Sequence, residues 1–360
     1  MNSASTEKII CSVYQEDDSP TVPLTDCETD NLTAGIVYTC TSANNSSITP
    51  SIKYHSIIRN YLQSPLFKEL VACMLLCTVL ILLAELVPLH HQPVPYQLAG
   101  DQTVILDFNY NYPYKHPEIS DTSLVFSVII FPIFVVILLE AVFKKGHHFH
   151  AGMCTLFIAF GLTGMITDFT KRFVGRLRPN FYALCDFNIG ALECQCDNDD
   201  SCNYDEARKS FISGHASLGF CGMTVLAQLL VGTTVLTHRE QLHTKFSEQQ
   251  QQRISVSSSS SQEFMFFLRQ QTALTCAAFC VPLVTATYIS MTRIRDNWHH
   301  PSDVVAGAMV GVCCAVVAYR LWYPPVHAYS YGRYSSVHVG VPYYCHALPQ
   351  LPVDCTYTTV

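Results

Sequence analysis

Long hydrophobic runs, separated by short polar stretches, dominate the pattern of this chain. Each run is near the roughly 20 residues that a helix needs to cross a bilayer. The six runs lie at about 67–88, 123–143, 151–169, 216–236, 271–291 and 303–323. Leu70 to Leu83 contains no charged residue, and Ser123 to Phe143 contains only Glu140. The pattern therefore predicts an all-α protein with six transmembrane helices, and it disfavours the buried helices of a large soluble protein.

Composition agrees with a membrane protein. Of the 360 residues, 14% are charged and 49% are hydrophobic, whereas an average globular domain has about 25% charged residues. The net charge of −7 is modest, so nothing indicates nucleic acid as a partner.

The polar ends predict three regions along the chain. Residues 1–52 form a disordered tail without the apolar core of a signal peptide, so the first span would direct insertion. Residues 53–323 form the membrane domain, and residues 324–360 form a tyrosine-rich tail. Between the fourth and fifth spans, a glutamine run and the serines at 257–261 predict a flexible loop.

The loop between the second and third spans sets the predicted orientation. It contains Lys144 and Lys145 and no acidic residue, which is typical of a cytosolic loop. Both tails are then cytosolic, because the number of spans is even. The loop at 171–210 is also basic and argues the reverse, but it is long and its second half is acidic.

Three polar blocks adjoin the spans. The first is Lys171-Arg-Phe-Val-Gly-Arg-Leu-Arg178-Pro179, the second is Ser213-Gly214-His215, and the third comprises Arg293, His299 and Asp303. Counting spans puts all three on the side opposite the tails. Unrelated polar loops would not have to lie on the same side of the membrane, whereas the parts of one site must.

The first two blocks offer groups that bind an anion. Lys171 and Arg178 are seven residues apart, which predicts one shared helix face, with Pro179 ending or kinking the helix. Ser213 and Gly214 precede an apolar helix, whose first N–H groups favour an anion. Each block also has a structural interpretation, as a membrane-boundary anchor or as a helix cap.

The histidines offer proton transfer and nucleophilic attack. His215 has a type of side chain whose free pKa, near 6.5, suits proton transfer at neutral pH. His299 and Asp303 are four apart, which predicts one helix face and a carboxylate that fixes the imidazole tautomer. Arg293 can bind the same phosphate, and His300 would point about 100° away. A structural pair at the start of the sixth span is the alternative interpretation of His299 and Asp303.

Four of the 17 cysteines lie in the 171–210 loop: Cys185, Cys194, Cys196 and Cys202. On an extracellular or luminal face they can form disulfides. Their spacing lacks the paired C-x2-C ends that are typical of zinc sites, so disulfides are favoured over zinc.

Together the blocks resemble the type 2 phosphatidic acid phosphatase superfamily, and in particular its lipid phosphate phosphatase branch. The resemblance covers about 67–323, including the number and order of the spans. It is carried by Gly175-Arg176-Leu177-Arg178-Pro179, Phe211-Ile212-Ser213-Gly214-His215 and His299-His300-Pro301-Ser302-Asp303.

The resemblance implies roles for the site residues. His299 would be the nucleophile that forms a phosphohistidine, Asp303 would orient it, and His215 would protonate the leaving alcohol. The phosphate would be bound by Lys171, Arg178, Arg293, Ser213 and the Gly214 amide. No metal or other cofactor is expected, because three cations supply the positive charge. The expected substrates are phosphatidate, lysophosphatidate, sphingosine 1-phosphate or ceramide 1-phosphate.

Some features depart from the family pattern. Thr292 stands where serine is frequent, and Ile212 stands where the wider superfamily often has proline. The sequons at Asn31, Asn44 and Asn45 lie in the tail assigned to the cytosol, so we expect them to be unused. Two other functions remain open: a phosphatase of polyprenyl diphosphate or a sugar phosphate in the endoplasmic reticulum, or a catalytically silent lipid-binding scaffold.

Localisation and partners follow from these expectations. We predict an integral protein of the plasma membrane, with an extracellular or luminal active site, that acts on a lipid phosphate. Relatives indicate a homo-oligomer. The C-terminal Thr358 and Val360 match the pattern that a PDZ domain binds.

Overall fold

The computed structural model describes residues 61–100, 103–143, 148–195, 204–251, 259–324 and 341–343. Within these ranges, six helices are long and apolar enough to cross a membrane. Spans 1 to 6 are Pro65–Glu85, Asp121–Ala141, Phe149–Val174, Gly214–Val235, Thr272–Arg295 and Pro301–Trp322. Each overlaps one predicted run, and the predicted all-α class is confirmed. The chain is an integral membrane protein.

Several spans belong to longer or composite helices. Span 3 is part of His148–Val174, span 4 of Gly214–Gln251, and span 5 of Ser259–Arg295. Span 2 is built from an α-helix, a π-helical turn and a second α-helix: Asp121–Val125, Phe126–Ile130 and Phe131–Phe143. The N-terminal tail with its sequons, most of the C-terminal tail and the PDZ motif lie outside the described residues. The predicted flexible loop between spans 4 and 5 is shorter than expected, because the helices continue to Gln251 and start again at Ser259; residues 252–258 lie outside the described residues.

The short elements lie in the connections. The antiparallel strands Tyr96–Leu98 and Val104–Leu106 follow span 1, and Phe187–Asn188 pairs with Glu193–Cys194 after span 3. Single turns of helix occur at Phe108–Tyr110, Phe181–Leu184 and Glu206–Arg208. The predicted class therefore holds with little sheet.

Local sequence explains where the first two spans begin. Ser64 precedes Pro65 and accepts a hydrogen bond from the Phe67 N–H at 3.3 Å. Ser120 accepts from the Ser123 N–H at 3.2 Å. Serine before the first turn satisfies an N–H group that has no partner inside the helix, and proline fits the first helical position.

The spans divide into an inner and an outer group. In the most apolar 18-residue segment of each span, 72% and 67% of spans 3 and 4 is buried inside the protein. The corresponding buried shares of spans 1, 2 and 5 are 11%, 22% and 17%. Span 6 is intermediate at 39%, and we group it with the inner spans because it packs on spans 3 and 4. Outer-span side chains such as Leu75 and Val284 are exposed, which suits contact with lipid.

Small residues let the inner spans approach each other. A Cβ atom on Gly311 of span 6 would lie 2.2 Å from the Ser217 carbonyl oxygen of span 4, and one on Gly307 would lie 2.6 Å from the Ser213 carbonyl oxygen. Only glycine permits such close backbone packing, a common device between membrane helices. It holds the start of span 6 against the start of span 4.

The connections after spans 1 and 3 pack together as a cap over one end of the bundle. Its buried apolar residues include Leu177, Phe181 and Ala207. The Tyr182 hydroxyl donates to the Pro95 carbonyl, and Arg208 donates to the Gln92 carbonyl. These contacts join the two connections into one layer.

Candidate active site

The three polar blocks meet beneath this cap, at the end of span 3, the start of span 4 and the connection between spans 5 and 6. The Ser213 N–H donates to the Asp303 carbonyl at 3.1 Å. A guanidinium nitrogen of Arg178 lies 3.2 Å from Nε2 of His299. A Cβ atom on Gly214 would lie 3.0 Å from Nζ of Lys171. Residues from all three blocks therefore form one cluster.

The predicted helix shared by Lys171 and Arg178 is wrong. Span 3 ends at Val174, and Gly175 adopts a φ of +61°, a backbone conformation that favours glycine. A Cβ atom there would also lie 1.8 Å from the His90 carbonyl oxygen. The chain therefore turns before Pro179, and Arg178 reaches the cluster from the cap.

Arg178 is buried and held on several sides. It donates to the Glu206 carbonyl at 2.6 Å, to the Glu206 carboxylate at 3.0 Å and to the Trp298 carbonyl at 3.2 Å. Its guanidinium also lies 4.9 Å from the centre of the Trp298 ring, a cation–π contact. Burial lowers the pKa of Arg178, while Glu206 opposes that shift. The guanidinium is thus fixed in position before any ligand binds.

Glu206 is shared by two cations. Its carboxylate also accepts from Nζ of Lys209 at 2.9 Å. Burial raises the pKa of the Glu206 carboxyl, but Arg178 and Lys209 outweigh it and bring the pKa to about 2. Glu206 is therefore an anion at neutral pH, and it positions Arg178.

His299 has a defined tautomer. Its Nδ1 lies 2.7 Å from the Ser210 carbonyl oxygen, which can only accept, so Nδ1 carries the proton and Nε2 offers a lone pair. Burial, together with the charge of Arg178, lowers the pKa of His299 to about 3. The ring is neutral at physiological pH, with Nε2 directed at Arg178.

The predicted helical pairing of His299 with Asp303 is also wrong in its geometry. Span 6 begins at Pro301, so His299 lies before the helix, and its Nδ1 is 3.8 Å from the nearest Asp303 oxygen. That distance is too long for a hydrogen bond. His300, predicted to point away, is nearer, with Nδ1 at 3.3 Å from Asp303.

Asp303 is fully buried and acts on the site through neighbours. Its carboxylate accepts from the Ser210 hydroxyl at 2.6 Å, from Arg176 at 2.6 Å and from the His300 N–H at 3.1 Å. Ser210 therefore links Asp303 to His299, because its hydroxyl binds the carboxylate and its carbonyl binds the ring. Arg176 also binds the Ser302 hydroxyl at 2.8 Å.

His215 lies at the start of span 4, close to the beginning of span 2. Its Nε2 donates to the Ile119 carbonyl at 3.1 Å and lies 3.7 Å from the Asp121 carboxylate. Lys171 and Arg293 are near enough to act on it electrostatically. Lys171 acts in the same way on His299, so one cation lies within reach of both histidines.

Arg293 and Ser213 complete the cluster. Arg293 is buried, donates to the Thr292 hydroxyl at 3.2 Å and lies 3.4 Å from the Asp296 carboxylate. The Ser213 hydroxyl accepts from the Ala216 N–H at 3.4 Å, which is the N-cap interaction of span 4. Thr292 thus supplies a hydroxyl that fixes the arginine.

Sequence reasoning assigned no role to the residues that support this cluster. They are Arg176, Glu206, Ser210 and Trp298. Arg176 lies inside a motif that carries the family resemblance, so its position was a usable signal. Ser210 acts partly through its carbonyl and Glu206 through a turn of the cap, and neither leaves a pattern in the sequence.

The described part of the cap contains one disulfide among the four cysteines for which the sequence favoured disulfides and left the pairing open. Cys185 and Cys194 are bonded, with their Cα atoms 5.2 Å apart. Cys196 and Cys202 lie outside the described residues, so their pairing stays a prediction. The bond closes the loop that contains the short strands after span 3.

Comparison with known proteins agrees with the family resemblance. Residues 152–325 match the model of the PAP2 superfamily. The chain is 28% identical to lipid phosphate phosphatase 1 of Arabidopsis thaliana over 232 residues, 62% of this chain and 61% of that protein. It is 30% identical to phospholipid phosphatase 2 of Rattus norvegicus over 173 residues, 46% of this chain and 51% of that protein.

The name of a third relative specifies a different substrate. The chain is 26% identical to a probable diacylglycerol pyrophosphate phosphatase 1 of Schizosaccharomyces pombe over 229 residues, 61% of this chain and 71% of that protein. The chain spans about three fifths of the length of the Arabidopsis relative. No solved structure matches it. The matched region contains nearly all of span 3, the whole of spans 4 to 6 and every residue of the three blocks, and this region of the chain is similar to the PAP2 superfamily.

Proposed function

We propose that this chain is a lipid phosphate phosphatase that transfers the phosphoryl group to His299 and then to water. The observation that carries the proposal is the state of His299, which is buried and neutral, with Nδ1–H bound to a carbonyl and Nε2 facing a fixed arginine. A neutral imidazole with an oriented lone pair is a nucleophile. The roles of the remaining residues follow from that assignment.

In the first step, Nε2 of His299 attacks phosphorus and the bond from phosphorus to the ester oxygen breaks. His215, in its protonated form, gives its Nδ1 proton to the leaving alcohol and becomes neutral, while its Nε2–H stays bound to the Ile119 carbonyl. Lys171, Arg178 and Arg293, with the hydroxyl of Ser213 and the N–H of Gly214, bind the phosphoryl oxygens. Such fixed donors stabilise the charge of the transition state more than water can, because they need no reorganisation.

In the second step, water attacks the phosphohistidine. His215, now neutral, takes a proton from that water, the N–P bond breaks and inorganic phosphate leaves. His299 returns to its starting form. Throughout, its Nδ1–H stays bound to the Ser210 carbonyl, and Asp303 holds Ser210 in place. Three cations supply the charge compensation that Mg²⁺ provides in other phosphoryl-transfer sites, so we expect turnover in a chelator.

A cavity in the bundle favours a lipid over a soluble phosphate. Its volume is about 510 Å³ and it lies between spans 2, 4 and 5, with Phe131, Met223 and Val281 among its lining residues. Met223 is eight residues from His215, or about 12 Å along the helix. The lining is almost entirely apolar, so the cavity suits an acyl chain that extends into the membrane from the bound phosphate.

Two observations support an extracellular or luminal site. The Cys185–Cys194 disulfide lies in the cap, and disulfides persist in oxidising compartments. The sequence that joins spans 2 and 3 contains Lys144 and Lys145 and no acidic residue, as expected for a cytosolic loop. The plasma membrane stays a prediction, as do the homo-oligomer and a PDZ-domain partner.

Two alternatives remain. The diphosphate named for the Schizosaccharomyces relative keeps a lipid diphosphate open as substrate, since the same cations could bind it. A silent scaffold is less consistent with the site, because His215, His299 and Asp303 are all present and His299 is held as a nucleophile.

Hydrolysis by the purified protein in detergent and chelator tests the proposal. The substrates are long-chain phosphatidate, dioctanoyl phosphatidate, diacylglycerol diphosphate and glycerol 3-phosphate. We expect the long-chain monoester to have the highest kcat/KM and glycerol 3-phosphate the lowest. Higher efficiency towards the soluble ester would contradict a lipid substrate, and dependence on Mg²⁺ would contradict the three-cation mechanism.

Variants of the two histidines test the mechanism. His299→Ala should lower turnover by about 10³-fold or more, and His215→Ala by about 10²- to 10⁴-fold. His116→Ala is the matched control, since this exposed histidine lies in the connection before span 2 and contacts Tyr114. Near-normal turnover of His299→Ala would rule out the phosphohistidine.

A further inference from the structure

A second polar cluster lies at the opposite end of the bundle from the proposed active site. Glu69 and Cys73 are four residues apart on span 1, and His150 and Cys154 are four apart on span 3. Residues four apart share a helix face, so each span presents one such pair. His150 is 21 residues from Lys171, which corresponds to about 30 Å along the helix.

The atoms of this cluster are spaced like metal ligands. Nε2 of His150 lies 3.1 Å from a Glu69 oxygen and 3.7 Å from Sγ of Cys154. One ligand atom from each of these three residues lies within 4.8 Å of the others. Tetrahedral bonds of about 2.0–2.3 Å require separations of about 3.3–3.8 Å between ligand atoms. Small side-chain rotations would therefore suffice to enclose an ion.

Two further side chains orient these ligands as outer partners of a metal site do. The Tyr61 hydroxyl lies 3.3 Å from Nδ1 of His150, so Nδ1–H can donate to it and leave Nε2 for a metal. Nε1 of Trp322, at the end of span 6, donates to the other Glu69 oxygen at 2.9 Å. Such contacts fix the tautomer of a ligating histidine and the direction of a ligating carboxylate.

We propose that Glu69, His150 and Cys154 form a binding site for a zinc-type transition-metal ion. One oxygen, one imidazole nitrogen and one thiolate are the mixed ligands that Zn²⁺ accepts, whereas Mg²⁺ and Ca²⁺ prefer oxygen alone. Water or the thiol of Cys73, which lies close to Cys154, would complete the tetrahedron. The ion would join spans 1 and 3 directly and span 6 through Trp322.

The surroundings suit this role. The Glu69 side chain is 44% exposed while that of His150 is 2% exposed, so an ion can arrive from the membrane surface and meet buried ligands. In the predicted orientation this end faces the cytosol, where thiols stay reduced and available. Because the site is distant from the active site, its effect would be on the stability of the bundle.

The competing interpretation is an ion pair between Glu69 and His150 with two uninvolved thiols. That pair would contribute little, since Glu69 is partly exposed. The two interpretations differ in a measurable way, because only a metal site needs the Cys154 sulfur. The experiment is therefore built around that atom.

Cobalt(II) titration of the full-length, metal-free protein in detergent tests the site, with Co²⁺ as a coloured substitute for Zn²⁺. The wild type should bind one equivalent more than Cys154→Ser or His150→Ala, and should show a thiolate-to-cobalt charge-transfer band that Cys154→Ser lacks. Cys77→Ser is the matched control, since Cys77 lies on span 1, as Glu69 does, but outside the cluster. It should bind as the wild type does.

Thermal unfolding gives a second readout. Zn²⁺ should raise the melting temperature of the wild type and of Cys77→Ser, and should raise it much less in Glu69→Gln. Since Glu69 is partly exposed, this variant keeps the fold even if Cys154→Ser does not. Equal cobalt binding and an equal charge-transfer band in wild type and Cys154→Ser would overturn the proposal, as would an equal zinc-dependent shift in Glu69→Gln.

Discussion

The inner spans and the outer spans of this bundle differ in their surroundings and in what they contribute to the candidate site. Spans 3 and 4 are surrounded by protein, and the capped end of the inner group contains Lys171, Ser213, His215 and Asp303. Spans 1, 2 and 5 expose most of their apolar side chains. Their main contribution to the site is Arg293, at the last turn of span 5.

The difference has a physical basis. A buried charge is tolerated only where fixed partners surround it, and inner helices can supply such partners on every side. The Asp303 carboxylate accepts from Ser210, Arg176 and His300, among others, and Arg178 has several acceptors. The outer spans contact lipid, which offers no hydrogen-bonding partners. The matched family region begins at residue 152 and so omits spans 1 and 2. We expect substitutions to separate the two groups sharply.

Asp303→Asn should have the largest effect on turnover. The amide has the same shape but cannot accept from Ser210, Arg176 and His300 as a carboxylate does, so His299 loses its orientation. The expected decrease in kcat is about 10³- to 10⁴-fold, as for other carboxylates that orient a catalytic histidine. Asp107→Asn is the control, since Asp107 caps only the short turn at Phe108–Tyr110. A decrease below tenfold would contradict this role.

Paired leucine truncations compare the groups in stability. Leu156 on span 3 is 1% exposed, and Leu75 on span 1 is 61% exposed. Leu156→Ala should lower the free energy of unfolding by about 2–5 kcal/mol, because it leaves a cavity. Leu75→Ala should change it by about 0.5 kcal/mol or less, because lipid fills the space. Equal shifts in the melting temperatures of the two variants, measured in detergent, would contradict the distinction between inner and outer spans.

Arg176→Gln tests a residue that acts through Asp303. Losing a charge-assisted hydrogen bond corresponds to about 1.5–3 kcal/mol, and so to about 10- to 100-fold in kcat. Because Arg176 orients the site, KM should change much less than kcat. Arg172→Gln is the matched control; its partner is Glu85, at the end of span 1. A large increase in KM would instead indicate that Arg176 binds the phosphate directly.

Glu206→Gln should have the smallest effect, and one that depends on pH. The folded state holds the Glu206 carboxyl at a pKa of about 2, below the ordinary value near 4.3. Its stabilisation is therefore present above pH 4.3 and disappears as the pH falls towards 2. The melting temperatures of wild type and variant should differ at pH 7 and converge on acidification. A difference that grows below pH 4 would contradict the assigned pKa.

The fold was largely predictable because membrane spans carry a strong signal. Uninterrupted apolar runs such as Leu70 to Leu83 have few structures open to them in lipid. The cap was not predictable, since it depends on contacts such as Tyr182 with Pro95, between segments that are distant in sequence. Nor did the sequence indicate the cavity, which requires three spans in their actual packing.

The sequence predicted that residues of the three polar blocks come together, whereas it did not predict the geometry of their cluster. Spacing rules assume a continuous helix, and both rules failed where the helix stops, at Gly175 before Arg178 and at Pro301 after His299. A backbone carbonyl, that of Ser210, orients the His299 ring, and the sequence cannot single out Ser210 for this role because every residue has a backbone carbonyl. The roles assigned to these residues await the substitutions described above.

The contact between Arg178 and His299 has a consequence for selectivity. Nε2 of His299 accepts a hydrogen bond from the Arg178 guanidinium at 3.2 Å, so its lone pair is engaged by a protein group. An arriving phosphate would draw that donor to its own oxygen and release the nitrogen at the moment the phosphorus is beside it. Nε2 of His299 would then stay bound to Arg178 whenever an uncharged lipid enters the site. Only an anionic head group could displace that donor and free the nitrogen for attack.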